Sequence, residues 1–390
     1  MALFSSLQHY AGTIATIATI AAGAIIAKVV GNMQPDMQGP EPDLVTQELG
    51  NYNYKPTSID IVVVRIMLEK SYKLPTEIMD IILDEAEYWA HSEASIHHPS
   101  TAPREGLRVV GTTPDENKLL LRCPPIGFHD FKKVGPAFKT APLPPKSGDG
   151  SPVTEPLRSV TLLKPTSSPT EMTSEAPREY FAGSMERPPM LTHPVRKIVF
   201  KIRSKDQGWG GGVGDRETYS GSWSWFEAGL EKFDKDLKYP GDTNDLGDGS
   251  CKTSAPAQHS ESEETSDNEE PTLCTCGLQS IYPPVEQSPY GHIAYHHHMH
   301  PLENLKIQNN KTAQNQFQDH EVVWSWSDDI HPESPEADRL VEMGRGRGTG
   351  TGKFVRSLKL GDVITVWGKA RFGGWVNHIE SVKVEIYWAV

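Results

Sequence analysis

The feature that most constrains the fold is an alternating run of side chains from Val195 to Ile202. In this run Ile198, Phe200 and Ile202 alternate with Lys197, Val199 and Lys201. A period of two places successive side chains on opposite faces of a strand, so one face is predicted to be buried. A glycine-rich loop and a second strand-like run, Ser222 to Phe226, follow without a helical pattern between them. Successive strands without intervening helices favour a β-sandwich over a parallel sheet.

Further strand-like runs indicate which parts of the chain share this domain. The predicted additional strands are 106–111, 117–123, 323–326, 354–358, 363–372 and 379–388. We therefore predict a mainly β chain whose jelly-roll-like β-sandwich is formed by residues 104–134, 191–238 and 319–390.

Two long polar segments are predicted to interrupt the sandwich. Residues 135–190 are rich in Pro, Ser, Thr and Glu, and residues 239–318 are acidic and rich in histidine. Such compositions bury too little apolar surface to offset the entropy of ordering the chain. Loops of this length inside a compact domain are best treated as insertions. Both segments are therefore predicted to be disordered insertions.

The N-terminal segment 1–31 contains an uncharged run of small and β-branched residues from 11 to 27. This length is at the short edge of a bilayer span, so residues 3–30 are a candidate transmembrane helix and membrane anchor. Lys28 follows the run, which weakly places the bulk of the chain in the cytosol. A cleaved signal peptide and a non-inserted extension are the alternatives, and the extension would leave a cytosolic or nuclear protein.

After a linker over 32–54, residues 55–95 carry two helical patterns. The first apolar face is formed by Ile59, Val62, Val63, Ile66 and Met67, and the second by Ile78, Ile81, Ile82 and Leu83. Pro75 is suited to the start of a helix, and Glu77 in the first turn suits the helix dipole. The segment is predicted to form a small helical hairpin with an apolar face to cover.

The start of the second helix resembles the opening of an F-box, the segment that docks on a Skp-type ubiquitin-ligase adaptor. The residues that carry the resemblance are Leu74, Pro75, Glu77, Ile81 and Ile82. A full F-box continues through further helices, whereas this chain breaks at 91–103. The resemblance implies a protein-binding helix at these five positions. The alternative is a hairpin that packs on the sandwich or on another partner.

Aromatic and polar residues in two loops form the candidate binding site. Trp209 and Trp375 lie in glycine-rich loops, where binding residues concentrate. The polar residues near them in the sequence are Asp206, Gln207, Arg371, Asn377 and His378. Together they could bind a protein or a glycan. The tryptophans expected to fill the core instead are Trp223, Trp225, Trp324 and Trp326.

Motifs in the C-terminal half resemble a group of uncharacterised proteins of filamentous fungi and yeasts. These motifs are Lys205–Trp209, Ser222–Gly229, Val323–Ile330 and Leu358–His378. The resemblance implies a fungal source and carries no known chemistry. The architecture is also similar to galactose-binding-like jelly rolls, which is an analogy at the level of the fold.

Charge and spacing exclude several classes of function. A formal net charge of -13 argues against a general nucleic-acid binder, which needs clustered Lys and Arg. The four cysteines form no disulfide framework, so a reducing compartment is expected. Cys274 and Cys276, with histidines after them, lack the spacing of a structural zinc site. No metal, cofactor or catalytic residue is predicted.

These features together predict a non-enzymatic interaction protein or adaptor, which binds a protein or a glycan through the sandwich loops. One alternative is a carbohydrate-binding module on the lumenal or extracellular side of a membrane. It predicts glycosylation at Asn310, which begins the sequon Asn310-Lys311-Thr312. The other alternative is an unrecognised enzyme that depends on Asp206 or His378.

Overall fold

The computed structural model describes most of the chain after residue 54. The described residues are 55–101, 104–134, 136–140, 143, 157–163, 172, 174–182, 184–185, 188–236, 273, 275, 277–287 and 293–390. The chain divides into two compact units, Met1–His91 with Ala389–Val390, and Ser92–Trp388. The hydrophobic segment 1–31, including the candidate anchor 3–30, and most of the linker 32–54 lie outside the described residues.

The first unit contains a pair of helices, α1 (Ser58–Tyr72) and α2 (Thr76–Glu85). Helix α1 begins with a capping box: Thr57 Oγ1 accepts a hydrogen bond from Asp60 N, and the Asp60 carboxylate accepts one from Thr57 N at 2.8 Å. Its last residue is Tyr72, and the next residue, Lys73, caps the helix in the left-handed conformation. Both helices lie within the range predicted for the hairpin.

The buried faces of these helices differ from the predicted ones. Helix α1 buries Ile61 and Leu68, which are seven residues apart and therefore share one face. The predicted apolar face is instead largely exposed at Ile59, Val63, Ile66 and Met67. Helix α2 buries Met79 and Leu83.

The second unit is built on two five-stranded sheets. The first sheet has the order β1 (Ala90–His97), β15 (Val376–Trp388), β7 (Val195–Lys205) and β13 (Gln318–Ser325), and β4 (Leu107–Val110) also pairs with β15. The second has the order β12 (Lys306–Asn309), β8 (Ser224–Phe233), β14 (Val363–Ala370) and β5 (Asn117–Arg122), and β9 (Leu278–Tyr282) also pairs with β8.

Smaller elements complete the unit. A three-stranded sheet has the order β10 (Val285–Gln287), β11 (Ile293–His298) and β6 (Arg158–Leu162), and a two-stranded ribbon joins β2 (Ser100–Thr101) to β3 (Arg104–Glu105). The further helices are α3 (Arg178–Ala182), α4 (Pro335–Glu342) and α5 (Lys353–Ser357), with 3-10 turns at Pro136–Lys139 and Thr349–Thr351.

The pairing of β7 with β15 shows why the alternating run folds as a strand. Phe200 pairs with Val384, and Ile202 pairs with Val382, so residues buried on one face lie side by side. The second sheet packs closely on the first, because a Cβ atom on Gly368 of β14 would lie only 2.9 Å from Ile379 Cδ1 of β15. The predicted mainly β class is confirmed, and the jelly-roll-like connectivity stays a prediction.

The prediction that 239–318 is a disordered insertion is wrong for residues 278–287 and 293–309. These residues contain strands β9 to β12, and they bury Tyr295 and Ile307. The strands are only three to six residues long and rich in polar side chains, so their alternation is weak. Pairing with strands distant in the sequence orders them, and no local pattern reveals that pairing.

The predicted insertion 135–190 also contains ordered structure. Strand β6 pairs in parallel with β11, and helix α3 carries the buried Phe181. The Phe181 ring lies 5.5 Å from the Phe233 ring in an edge-to-face contact. The Tyr180 ring also lies 6.0 Å from the Phe233 ring, so two adjacent aromatic side chains attach α3 to the core.

The predicted strand 354–358 is helix α5 instead. A run of five residues cannot distinguish a short strand from a short helix by periodicity. Phe354 places its ring 5.3 Å from the Trp324 ring, and Val355 is buried. Packing of the helical turn against the sheet therefore outweighs the β-like composition.

Candidate functional site

Two loops at one end of the second unit bring Trp209 and Trp375 together. The first loop leaves β7 after Lys205, and the second joins β14 to β15. A Cβ atom on Gly374 would lie 2.8 Å from Cη2 of Trp209, and one on Gly210 would lie 3.9 Å from Cζ2 of Trp375. Each indole ring therefore lies over the glycine beside the other tryptophan. Both glycines have positive φ, 104° at Gly210 and 96° at Gly374.

Gln207 connects the two loops through its side chain. Its Nε2 donates to the carbonyl oxygen of Trp209 at 2.5 Å, and its Oε1 accepts from the backbone N–H of Val376 at 3.1 Å. The amide group thus fixes the position of Trp209 relative to the start of β15. It has a structural role beside the site.

Asp206 is fully buried and holds the base of the same loop. Its carboxylate accepts from Gly208 N at 2.7 Å and from Ala313 N at 2.6 Å. Burial raises the pKa of Asp206 to about 6, against the lowering effect of these backbone N–H groups. The loop that carries Trp209 is therefore attached both to β15 and to the segment after β12.

Two further aromatic residues lie at this end of the sheets. Phe372, in the turn after β14, is 44% exposed, and its ring lies 4.6 Å from the Trp223 ring just before β8. Trp223 is partly exposed rather than fully buried in the core. Strands β8 and β14 are antiparallel, which places the start of one beside the end of the other. We call Trp209, Trp223, Phe372 and Trp375 the loop-end surface.

The other three predicted site residues do not join this surface in the same way. Arg371 is buried, donates to Asn117 Oδ1 at 2.7 Å and to His298 O at 2.8 Å, and lies over the Trp225 ring. Burial lowers its pKa. His378 lies within β15, paired with Lys205, and is partly exposed.

Asn377 belongs to a buried polar network that includes the predicted glycosylation site. Asn310 is 1% exposed, and its Nδ2 donates to Asn377 Oδ1 at 2.9 Å and to Ser224 Oγ at 3.0 Å. Its Oδ1 accepts from Ser204 Oγ at 2.7 Å. A glycan on Nδ2 would displace these bonds and has no space beside them. The prediction of glycosylation at Asn310 therefore conflicts with the folded structure.

A buried ionic cluster at Glu227 was not predicted from the sequence. Glu227 forms an ion pair with Lys369, and its Oε1 accepts from Trp225 Nε1 at 2.8 Å. Burial lowers the pKa of Lys369, against the raising effect of Glu227. Burial also lowers the pKa of His297, whose two ring nitrogens have no partner among the described residues. The sequence feature that could have indicated this cluster is the charged residue Glu227 within the apolar strand β8.

The space beside this cluster is too small for an organic substrate. The cavity lined by Glu227, His297, Trp367 and Lys369 has a volume of about 10 Å³, which is room for roughly one water molecule. Within the ranges described above, no group of three His, Cys, Asp or Glu side chains is placed to hold a metal ion. Cys274 and Cys276 lie outside those ranges.

The five residues predicted to form a protein-binding helix lie at the turn and on α2. Pro75 directly precedes α2, Glu77 lies in its first turn, and Ile81 is 46% exposed. Leu74 and Ile82 are partly exposed. After α2 the chain enters strand β1 rather than another helix. Of the helices that the structure describes, none combines the length and apolar character needed to cross a bilayer.

Comparisons with known proteins returned no match: no family model, no curated protein and no solved structure resembles the chain.

Proposed function

We propose that the protein is a non-enzymatic interaction protein that binds another protein through the loop-end surface. The observation that carries this proposal is Trp209, which is 62% exposed although hydrogen bonds and the opposing glycine fix its loop. A large exposed indole leaves apolar area in water, and covering it on binding is favourable. Because the loop is already ordered, binding loses little conformational entropy.

The neighbouring aromatic residues support a contact area larger than one side chain. Phe372 is exposed, and Trp223 and Trp375 are partly exposed. Tryptophan dominates the energetically important positions of protein interfaces, where a few aromatic anchors supply most of the binding free energy. The loop-end surface therefore suits a protein partner.

The polar surroundings favour a protein over a glycan. A sugar site places polar side chains beside the aromatic face to bind hydroxyl groups. Here Asp206, Arg371 and Asn377 are buried, and their bonds are to groups within the protein. The Gln207 amide is engaged by Trp209 and Val376. A carbohydrate-binding module is the alternative that the experiment below must separate.

The hairpin supplies a second contact in this proposal, which would make the protein an adaptor. Its contact residues are Leu74, Pro75, Glu77, Ile81 and Ile82. Residues 3–30 would hold the protein at a membrane, with the bulk of the chain in the cytosol. Without that anchor the protein would be cytosolic or nuclear.

The test compares partners of the tagged full-length chain with those of Trp209→Ala. Val341→Ala is the matched control, because Val341 is an exposed apolar residue on α4 and is not one of the four residues of the loop-end surface. We expect quantitative mass spectrometry to show partners lost with Trp209→Ala and kept with Val341→Ala. Identical partner sets for all three proteins would contradict the proposal. Glycan-array signals that depend on Trp209 would favour the carbohydrate-binding alternative.

The hairpin contact needs a separate experiment. The double variant Leu74→Ala with Ile82→Ala shortens two partly exposed apolar side chains of the F-box-like helix. If this helix binds a ligase adaptor, co-purification of that adaptor should fall while Trp209-dependent partners remain. Unchanged adaptor recovery, or its absence from the wild-type sample, would remove the F-box part of the proposal.

A further inference from the structure

We propose that the ligand of the loop-end surface is a proline-rich segment in the extended polyproline II conformation. This inference rests on the proposed function and names the chemistry of the partner. It follows from the hydrogen-bonding groups around Trp209 and Trp375, taken together with the exposure of the rings.

The indole N–H groups of Trp209 and Trp375 are available donors. Neither nitrogen has an acceptor among the described residues, and neither is among the buried unpaired atoms. Two tryptophans inside the sandwich differ, because Trp225 Nε1 donates to Glu227 at 2.8 Å and Trp367 Nε1 donates to Thr365 Oγ1 at 3.0 Å. The loop-end surface therefore offers donors beside flat apolar rings.

Several acceptors near the same rings already accept hydrogen bonds from within the protein. The carbonyl oxygen of Trp209 accepts from Gln207, that of Trp375 accepts from Gly111 N at 3.0 Å, and that of Phe372 accepts from Trp375 N at 3.3 Å. The Asp206 carboxylate also accepts two backbone bonds. A ligand that brings many donors would find part of the acceptor capacity of these groups already used.

A proline-rich segment has the complementary groups. Proline has a carbonyl acceptor and no backbone N–H, and its ring is an apolar surface that packs on aromatic side chains. Its polyproline II helix is preformed and leaves its backbone carbonyls unbonded. A helical ligand differs, because its carbonyls are bonded within the helix except at the C-terminal end. Rings with unpaired N–H groups thus fit a proline-rich ligand better than a helix.

The test measures binding of a fluorescein-labelled peptide of ten prolines to the full-length protein by fluorescence anisotropy. We expect saturable binding with a Kd below about 1 mM. Trp209→Ala should weaken it by about tenfold or more, since it removes both ring and donor. Trp209→Phe keeps a flat ring but removes the N–H, and should weaken binding by about fivefold.

Matched controls separate recognition from loss of folding. A Gly-Ser peptide of the same length should not bind, and Val341→Ala should bind the proline peptide like the wild-type chain. The thermal unfolding midpoint of each Trp209 variant should match that of the wild-type chain. An independent variant, Trp375→Phe, should also weaken binding, because it removes the second indole donor.

The outcomes distinguish this inference from the proposed function. No binding of the ten-proline peptide, or equal binding by Trp209→Ala, would overturn the inference. Equal binding by Trp209→Phe and Trp375→Phe would overturn the role of the indole donors. If partner capture still depends on Trp209 while the proline peptide fails, the interaction proposal stands and only the ligand class is wrong. If the proline peptide fails to bind and partner capture does not depend on Trp209, both the inference and the proposed function are contradicted.

Discussion

Two pairs of tryptophans in this protein have opposite surroundings. Trp225 and Trp367 lie in neighbouring strands, are buried, and donate their indole N–H groups to Glu227 and Thr365. Trp209 and Trp375 lie in loops, and their N–H groups have no acceptor within the described parts of the chain. A buried indole N–H with an internal acceptor supports the fold, whereas an indole N–H at the surface can use an acceptor from outside. The difference separates tryptophans that stabilise the fold from tryptophans suited to recognition.

The largest effect on stability is expected at Glu227, which contacts both the buried Trp225 and Lys369. Glu227→Ala leaves Lys369 and the Trp225 N–H without their buried partner. We expect a loss of about 3 to 5 kcal/mol in the free energy of unfolding, because an unpaired buried charge is costly. Urea titration measures the change. Glu333→Ala, at an exposed residue, should stay within about 0.5 kcal/mol of wild type, and an equal loss in both variants would refute the comparison.

A smaller effect is expected at the glycine beneath the Trp209 ring. Gly374→Ala places a Cβ 2.8 Å from Trp209 Cη2 at a φ of 96°, so ring and backbone must shift. We expect the free energy of unfolding to fall by about 1 to 3 kcal/mol and partner capture to weaken. Gly373→Ala is the control, because its Cβ would meet nothing within 4 Å. Normal capture by Gly374→Ala would show that the ring position is not needed.

The pH dependence of stability tests the anchoring of the Trp209 loop. The folded protein holds the Asp206 proton up to a pKa of about 6, whereas the unfolded chain releases it near 3.8. Between these values the folded state binds more protons, so this residue makes stability fall as pH rises from about 4 to about 6. Asp206→Asn should remove that part of the slope in urea titrations at stepped pH. The wild-type chain, titrated at the same pH steps, is the reference for the change in slope.

The smallest stability effect is expected at the recognition pair itself. Trp209 is largely exposed, so Trp209→Ala should change the free energy of unfolding by less than about 1 kcal/mol. Partner binding should nevertheless be lost. Thermal unfolding and partner capture on the same preparations check both parts. If Trp209→Ala lowers the free energy of unfolding by several kcal/mol, Trp209 stabilises the fold as Trp225 and Trp367 do, and the difference between the two pairs is refuted.

The central strands and the two tryptophan loops were predictable from local patterns. The alternation from Val195 to Ile202 has the period of a strand with one buried face. Glycines beside Trp209 and Trp375 indicate loops, because they allow positive φ. Both features depend on neighbouring residues only, so one sequence is sufficient to show them.

The polar half of the site could not be predicted in the same way. Arg371 and Asn377 lie close to Trp375 in the sequence, yet both are buried by partners far along the chain, Asn117 and Asn310. Whether a polar side chain near a loop faces solvent depends on such distant partners. The strands within 278–309 were missed for the same reason, because pairing rather than periodicity orders them.

The polar network around Asn310 has a consequence for how the strands find one another. It joins Ser204 of β7, Ser224 of β8 and Asn377 of β15, which belong to both large sheets. A slip of one residue in any of these strands would turn its polar group away and leave the Asn310 amide buried without partners. A shifted register of any of these strands therefore costs free energy through more than one lost hydrogen bond. The network therefore favours the native register of these strands over registers shifted by one residue.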